Sequence, residues 1–174
     1  LTLAFASPEA YAAFRAGHHA PARFLDRDLN RLWRDDWIDA DLVSREAKRA
    51  RELRPWLRTV DALLDLHSTA SVARPFFVLV DLPKARALAD AMAVPATQQI
   101  MPGGCIDGRH MIDYGWFADP EDTAVAVTVE CGRHDDAAAA EIAYDAAIKF
   151  LDVLDVVADP IRSQGPEKGA IRRF

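Results

Sequence analysis

The sequence predicts an α/β fold on a largely parallel sheet, and three observations carry that expectation. Short apolar runs alternate with segments whose apolar residues recur at helical spacing, the pattern of βαβ units. The chain has 174 residues, 51% hydrophobic and 28% charged, which suits one real hydrophobic core. Two of the apolar runs end on a polar residue, His67 and Glu130, at the carboxyl ends of strands where open α/β sheets bind ligands.

The elements follow in order. Leu1 to Ala6 reads as a strand already under way, so a piece of a longer protein is expected. Ser7-Pro8-Glu9 supplies an N-cap, a proline at the first helical position and an early acid, starting a short helix through Phe14. Residues 16–23 hold Gly17, His18, His19 and Pro21 and read as loop, with both histidines on the surface; Asp36 to Asp41 reads as polar and irregular. Ser44 caps a helix to about Arg54, with Val43, Ala47, Ala50, Leu53 and Leu57 at helical spacing and Pro55 expected to end or kink it.

Val60 to Leu66 is a strand ending at His67, and Pro75 to Val80 is a second short apolar run. A helix spans Lys84 to Met92. Residues 94–111, with Pro95, Pro102, Gly103, Gly104 and Gly108, read mainly as loop around a short strand. Ala124 to Val129 is a strand ending at Glu130. A helix from about Ala137 to Val156 is expected to bury Ala143, Ala147, Phe150, Leu151 and Leu154. Residues 1–158 read as one domain, and 159–174 as a weakly ordered tail or the start of a further segment.

Bulk properties exclude several classes. A net charge of −6 argues against a nucleic-acid partner, which calls for a basic surface. No apolar run approaches the roughly 18 residues of a membrane span, and no signal-peptide pattern is present. Cys105 and Cys131 form no CxxC, so no disulfide framework is expected and the usage fits a reducing cytoplasm. There is no phosphate-binding GxxxxGK[ST], no GxGxxG after a strand, no GxSxG elbow and no HExxH. Nothing selects an oligomeric state.

On position alone, His67 is either a hydrogen-bonded strand-end histidine or a functional one, and Glu130 either a salt-bridged carboxylate or a catalytic one. The stretch Arg23-Phe24-Leu25-Asp26-Arg27-Asp28-Leu29-Asn30-Arg31 is either a solvated, internally paired charge run or a clamp for a carboxylate, which arginine binds bidentately.

Asp28-Leu29-Asn30-Arg31, then Asp65-Leu66-His67-Ser68-Thr69, then Val129-Glu130-Cys131-Gly132 follow the motif order of the succinylglutamate desuccinylase/aspartoacylase family, which this chain resembles over roughly residues 1–155. Leu3 to Tyr11, Ser44-Arg45-Glu46, Arg51 to Trp56 and Asp113-Tyr114-Gly115 resemble its bacterial members as well. The resemblance implies a three-layer α/β/α fold of zinc carboxypeptidase type with a mixed, largely parallel sheet. It implies a zinc-dependent amidohydrolase, a deacylase acting on an N-acylated amino acid or a similar carboxylate-bearing amide. His67 is then a Zn2+ ligand, Glu130 the carboxylate that activates water and protonates the leaving amine, and Arg23 the donor to the scissile carbonyl. Asn30 and Arg31 hold the substrate carboxylate, and Tyr114 is a further substrate contact.

The chemistry asks for these residue types. Zinc brings the pKa of bound water toward neutrality and is held by three protein ligands with one position open. A glutamate beside that water shuttles the proton, and a guanidinium stabilises the oxyanion. Asp65, two residues before His67 on the same strand face, is placed to orient the imidazole or to make an unrelated strand-end bond. The chain departs from the family in having no HxxE, the source of the first two zinc ligands, and no counterpart of the small C-terminal β domain. The ligand pair is therefore expected upstream of Leu1. The alternatives are a degenerate, non-catalytic small-molecule-binding domain of the same fold, and a zinc carboxypeptidase acting on short peptides.

Overall fold

A computed structural model describes residues 1–17, 24–101, 108–156 and 172–173. The chain forms two compact units, one of Leu1–Val60 with Gly104–Tyr114 and one of Asp61–Gly103 with Gly115–Phe174. Among the described residues no helix is long and apolar enough to cross a membrane.

The first unit carries helices α1 (Pro8–Arg15), α2 (Asp35–Ala40) and α3 (Arg45–Leu57). Leu1 to Ala6 is not the expected strand. Leu1, Leu3 and Phe5 are 90%, 88% and 72% exposed, and the carbonyls of Phe5 and Ala6 accept from the Arg49 guanidinium at 2.6 and 3.1 Å. The stretch read as irregular contains α2 instead. Asp35 and Asp36 sit favourably in its first turn, Ile38 is buried, and Arg51 Nη1 donates to the carbonyls of Ile38 and Asp41, which lack helical partners.

Helix α3 starts as expected, with Ser44 Oγ accepting from Ala47 N at 3.2 Å and donating to Asp41 at 2.6 Å. That bond and two backbone donors hold the Asp41 carboxyl well below the usual carboxylate range. Pro55 does not end the helix. It falls in the last turn, where one amide is lost but the buried Leu53 and Leu57 still anchor the backbone. Val43, placed on the apolar face by spacing, precedes the cap and is 93% exposed.

The second unit is a mixed sheet, largely parallel as expected. Its strands are β1 (Ala62–Thr69), β2 (Phe76–Val80), β3 (Thr97–Met101), β4 (Val125–Arg133) and β5 (Arg172–Arg173), in the order β1-β4-β2-β3-β5. All neighbours pair parallel except β2 with β4. Helices α4 (Pro83–Met92) and α5 (Ala138–Val153) share one core with this sheet. Phe77 and Leu79 of β2 and Val127, Val129 and Cys131 of β4 meet Ala85, Leu88, Ala89 and Met92 of α4 and Ala146 and Phe150 of α5. The stripe of α5 differs from the expected one by a fraction of a turn: Ala146 is buried, while Leu154 lies past the helix end and is partly exposed.

A loop leads from the short 3-10 helix Gly115–Ala118 into β4, and Lys84 of α4 holds it. The ammonium donates to the carbonyls of Trp116, Asp119 and Asp122 at 2.8, 2.6 and 3.0 Å.

Phe77 is fully buried in the sheet–helix core. Phe77→Ala should therefore lower stability by about 3–5 kcal/mol, through lost transfer energy and the cavity left behind, measured by urea denaturation.

Candidate active site

Strand β1 runs parallel to β4 with Leu64 opposite Val127, Asp65 opposite Thr128, Leu66 opposite Val129 and His67 opposite Glu130. Side chains alternate between faces. Val127 and Val129 turn toward α4 and α5, so Asp65, His67, Thr128 and Glu130 share the other face. The two residues singled out at strand ends, 63 positions apart in sequence (130 − 67), are thus direct neighbours. Strand β2 places Phe76 on the far side of Glu130.

Contrary to expectation, Glu130 does not end its strand. β4 continues to Arg133 and β1 to Thr69, and between His67 and Thr69 the register slips, so that Thr69 pairs with Arg133. Such a bulge adds one residue to β4. Gly132, at φ +126, takes up the backbone conformation this requires. The turn beyond is closed by His134 N donating to the Thr69 carbonyl at 3.0 Å and by the contact of Ser68 Oγ with His134 Nδ1 at 2.8 Å.

His67 Nε2 lies 2.8 Å from Asp65 Oδ2, with the Asp65 side chain 9% and the His67 side chain 29% exposed. A carboxylate accepts, so Nε2–H donates, and in the neutral ring the lone pair then sits on Nδ1. Cys131 points into the core, and its thiol is pushed up to about 11 by burial and then by the charge of Glu130. It stays protonated at neutral pH and is no nucleophile.

The first unit positions the second group. Asp28 Oδ1 accepts from Asn30 N at 3.0 Å and starts the short 3-10 helix Leu29–Arg31. Asn30 Oδ1 accepts from Met111 N at 3.0 Å, which fixes the amide and makes Nδ2 its donor side. Arg31 Nη1 donates to the Asn30 carbonyl at 2.9 Å and stands 4.0 Å from Asp28 Oδ2. Backbone bonds from Arg109 N to Arg31 O and from Trp33 N to Arg109 O, at 3.1 and 3.2 Å, hold the stretch against residues 108–109.

Tyr114, implied as a substrate contact, is only 4% exposed. It packs on Trp33 with ring centroids 5.5 Å apart and donates to Asp35 Oδ1 at 2.7 Å. That bond holds Asp35 below the usual carboxylate range, while burial and then Asp35 push the phenol up. Arg23, His18 and His19 lie outside the described residues.

The sequence reading missed Glu46, which is 2% exposed and accepts from the amides of Leu25, Asp26 and Arg27. A signal existed: Glu46 is in phase with Ala50, Leu53 and Leu57, so a carboxylate stands on the apolar stripe of α3.

Among the described residues no group of three or more His, Cys, Asp or Glu side chains could hold a metal ion. A catalytic zinc site takes three protein ligands. The described residues therefore do not by themselves fit zinc, His67 being a single imidazole backed by Asp65.

Residues 5–154 match the family model for the succinylglutamate desuccinylase/aspartoacylase catalytic domain. No curated protein matches. Among solved structures, the chain is similar to the product-bound ectoine utilization protein EutE (DoeB) from Ruegeria pomeroyi, at 24% identity and TM-score 0.61, covering 94% of this chain and 48% of that one. A succinylglutamate desuccinylase/aspartoacylase from Rhodobacter sphaeroides gives 16% identity and TM-score 0.66 over 94% and 48%. A succinylglutamate desuccinylase from Silicibacter sp. TM1040 gives 25% identity and TM-score 0.58 over 92% and 46%. The chain spans about half the length of the solved structures it matches.

Gly108 has φ +127, and a Cβ there would stand 2.3 Å from the Arg31 carbonyl oxygen. Gly108→Ala should cost roughly 1–3 kcal/mol in urea denaturation and displace the Arg31 backbone, visible in a crystal structure of the variant. Unchanged stability would show that the contact with Arg31 is not tight.

Proposed function

Because this chain belongs to the succinylglutamate desuccinylase/aspartoacylase catalytic-domain family, we propose that the protein of which it is part hydrolyses the amide bond of an N-acylated amino acid. The single observation that supports this reading best is the register of β1 on β4, which sets His67 beside Glu130 on the face turned away from α4 and α5.

Each residue has a defined task in the proposal. Glu130 takes a proton from the attacking water and returns it to the leaving amine, as a carboxylate can within hydrogen-bond reach of both. Asn30 and Arg31 hold the substrate carboxylate, with Asn30 Nδ2 and the Arg31 guanidinium as donors. Tyr114 stays outside that set, its hydroxyl committed to Asp35. Arg23 is proposed as the donor to the scissile carbonyl on the strength of the motif alone. Zn2+ is proposed as the metal of the whole protein. His67, steadied by Asp65 in the manner of carboxylate–histidine–metal triads, would be one ligand, and the others would come from outside the described residues.

The test is metal analysis of the whole protein together with hydrolysis of a panel of N-acyl amino acids. Glu130→Ala should lower kcat by roughly 10²–10⁴ with bound metal unchanged, and His67→Ala should lose metal. Absence of hydrolysis across the panel by the metal-loaded protein would overturn the proposal. Loss of metal in Glu130→Ala would instead make Glu130 a ligand.

A further inference from the structure

We propose that Glu46 is the positioning residue of the anion clamp: its buried carboxylate gathers the backbone amides of residues 25–27 and so sets where Asn30 and Arg31 present their side chains. The inference rests on the reading that Asn30 and Arg31 bind the substrate carboxylate.

Glu46 is the second residue of α3, behind the Ser44 cap. Its Oε1 accepts from Leu25 N at 2.6 Å, and its Oε2 from Asp26 N at 3.2 Å and Arg27 N at 3.1 Å. A carboxylate withdrawn from water is very costly unless hydrogen-bonded. Three consecutive amides turned onto one anion make the kind of backbone concavity that binds phosphate elsewhere, here occupied by the protein's own side chain. The loop therefore has one favourable placement relative to α3, the one that brings all three donors to Glu46.

The neighbouring residue adds a second tie in the same direction. Asp26 accepts from Arg45 N, Nε and Nη2 at 2.9, 2.8 and 2.7 Å, and this contact with Arg45 draws its carboxyl down to about 2. Residues 45 and 46 thus grip residues 25–27 from one helical turn.

The effect reaches the clamp because little slack separates the two. From Arg27 to Asn30 the chain passes only through Asp28, which caps Asn30, and Leu29, which is buried. A displacement of residues 25–27 is passed on to Asn30 and Arg31. A purely architectural glutamate would affect all substrates alike. A positioning glutamate affects those with a carboxylate to clamp.

The experiment uses the whole protein and a matched pair of substrates: an N-acyl amino acid that it hydrolyses, and the same compound with its carboxylate replaced by a primary amide. In Glu46→Gln, one acceptor becomes an amide nitrogen facing backbone donors. KM for the acid should rise roughly tenfold, the scale of a weakened bond to a charged group. KM for the amide, and kcat for both, should stay within about twofold, as for lost ground-state binding. Glu46→Asp, which keeps the carboxylate, should recover part of the loss.

Arg31→Ala is the control arm. If it removes the preference for the acid and Glu46→Gln does not, the positioning role is wrong and the clamp stands. If Arg31→Ala leaves the preference intact, the clamp reading fails and this inference with it. A Glu46→Gln defect of equal size on both substrates also overturns the inference. Should neither Glu46 variant fold, hydrogen exchange of the wild-type protein decides. Amides 25–27 protected to the level of α3 support the tie, and exchange at open-loop rates refutes it.

Discussion

Parallel pairing between β1 and β4 leaves no choice about which side chains meet. Once Leu64 is set against Val127 for burial under α4 and α5, the two-residue period of both strands carries His67 to Glu130 and turns both toward the opposite face. The catalytic proposal is therefore a consequence of apolar packing one and three residues earlier in β4 and three residues earlier in β1. A slip of one residue would turn the imidazole toward the helix-covered face and Leu64 away from it. The bulge at Gly132 comes only after the pair, so it alters the direction of the strand ends and leaves the alignment of His67 and Glu130 intact.

The two groups of candidate residues are organised by different physics. In the sheet unit, position follows from backbone pairing and the core behind it. In the other unit, the stretch around Asn30 and Arg31 has little regular structure, and polar side chains do the organising. Asp28 caps the short helical turn, the Asn30 amide is fixed by Met111 N, and Glu46 collects the preceding amides. Such a loop is as well defined as its hydrogen bonds are complete.

The sheet was legible in the sequence because its strands are short apolar runs, and β1, β2, β4 and α4 lie within a few residues of where pattern alone puts them. Strand-end position singles out His67 and Glu130, but pairing is not encoded in pattern, and only the register makes them direct neighbours. Misses came from tertiary context. Helix α2 is too short and too acidic to show periodicity and depends on Arg51 to complete it. The apolar residues of Leu1–Ala6 mimic a strand but find no partner strand among the described residues. The partner of the Tyr114 hydroxyl is likewise not written in the sequence, and the coordinates supply it as Asp35.

The lysine cage at the head of β4 has a practical bearing on handling. Three carbonyls that would otherwise repel one another converge on a single cation, the Lys84 ammonium, which is covalently tethered to α4 and so ties the loop to that helix. The same tether is a vulnerability. Cyanate in aged urea carbamylates lysines of unfolded chains, and a carbamylated Lys84 would return to the native state as a neutral urea with no ammonium to offer the three carbonyls. Reversibility of unfolding would then decay with the age of the denaturant rather than with any property of the fold.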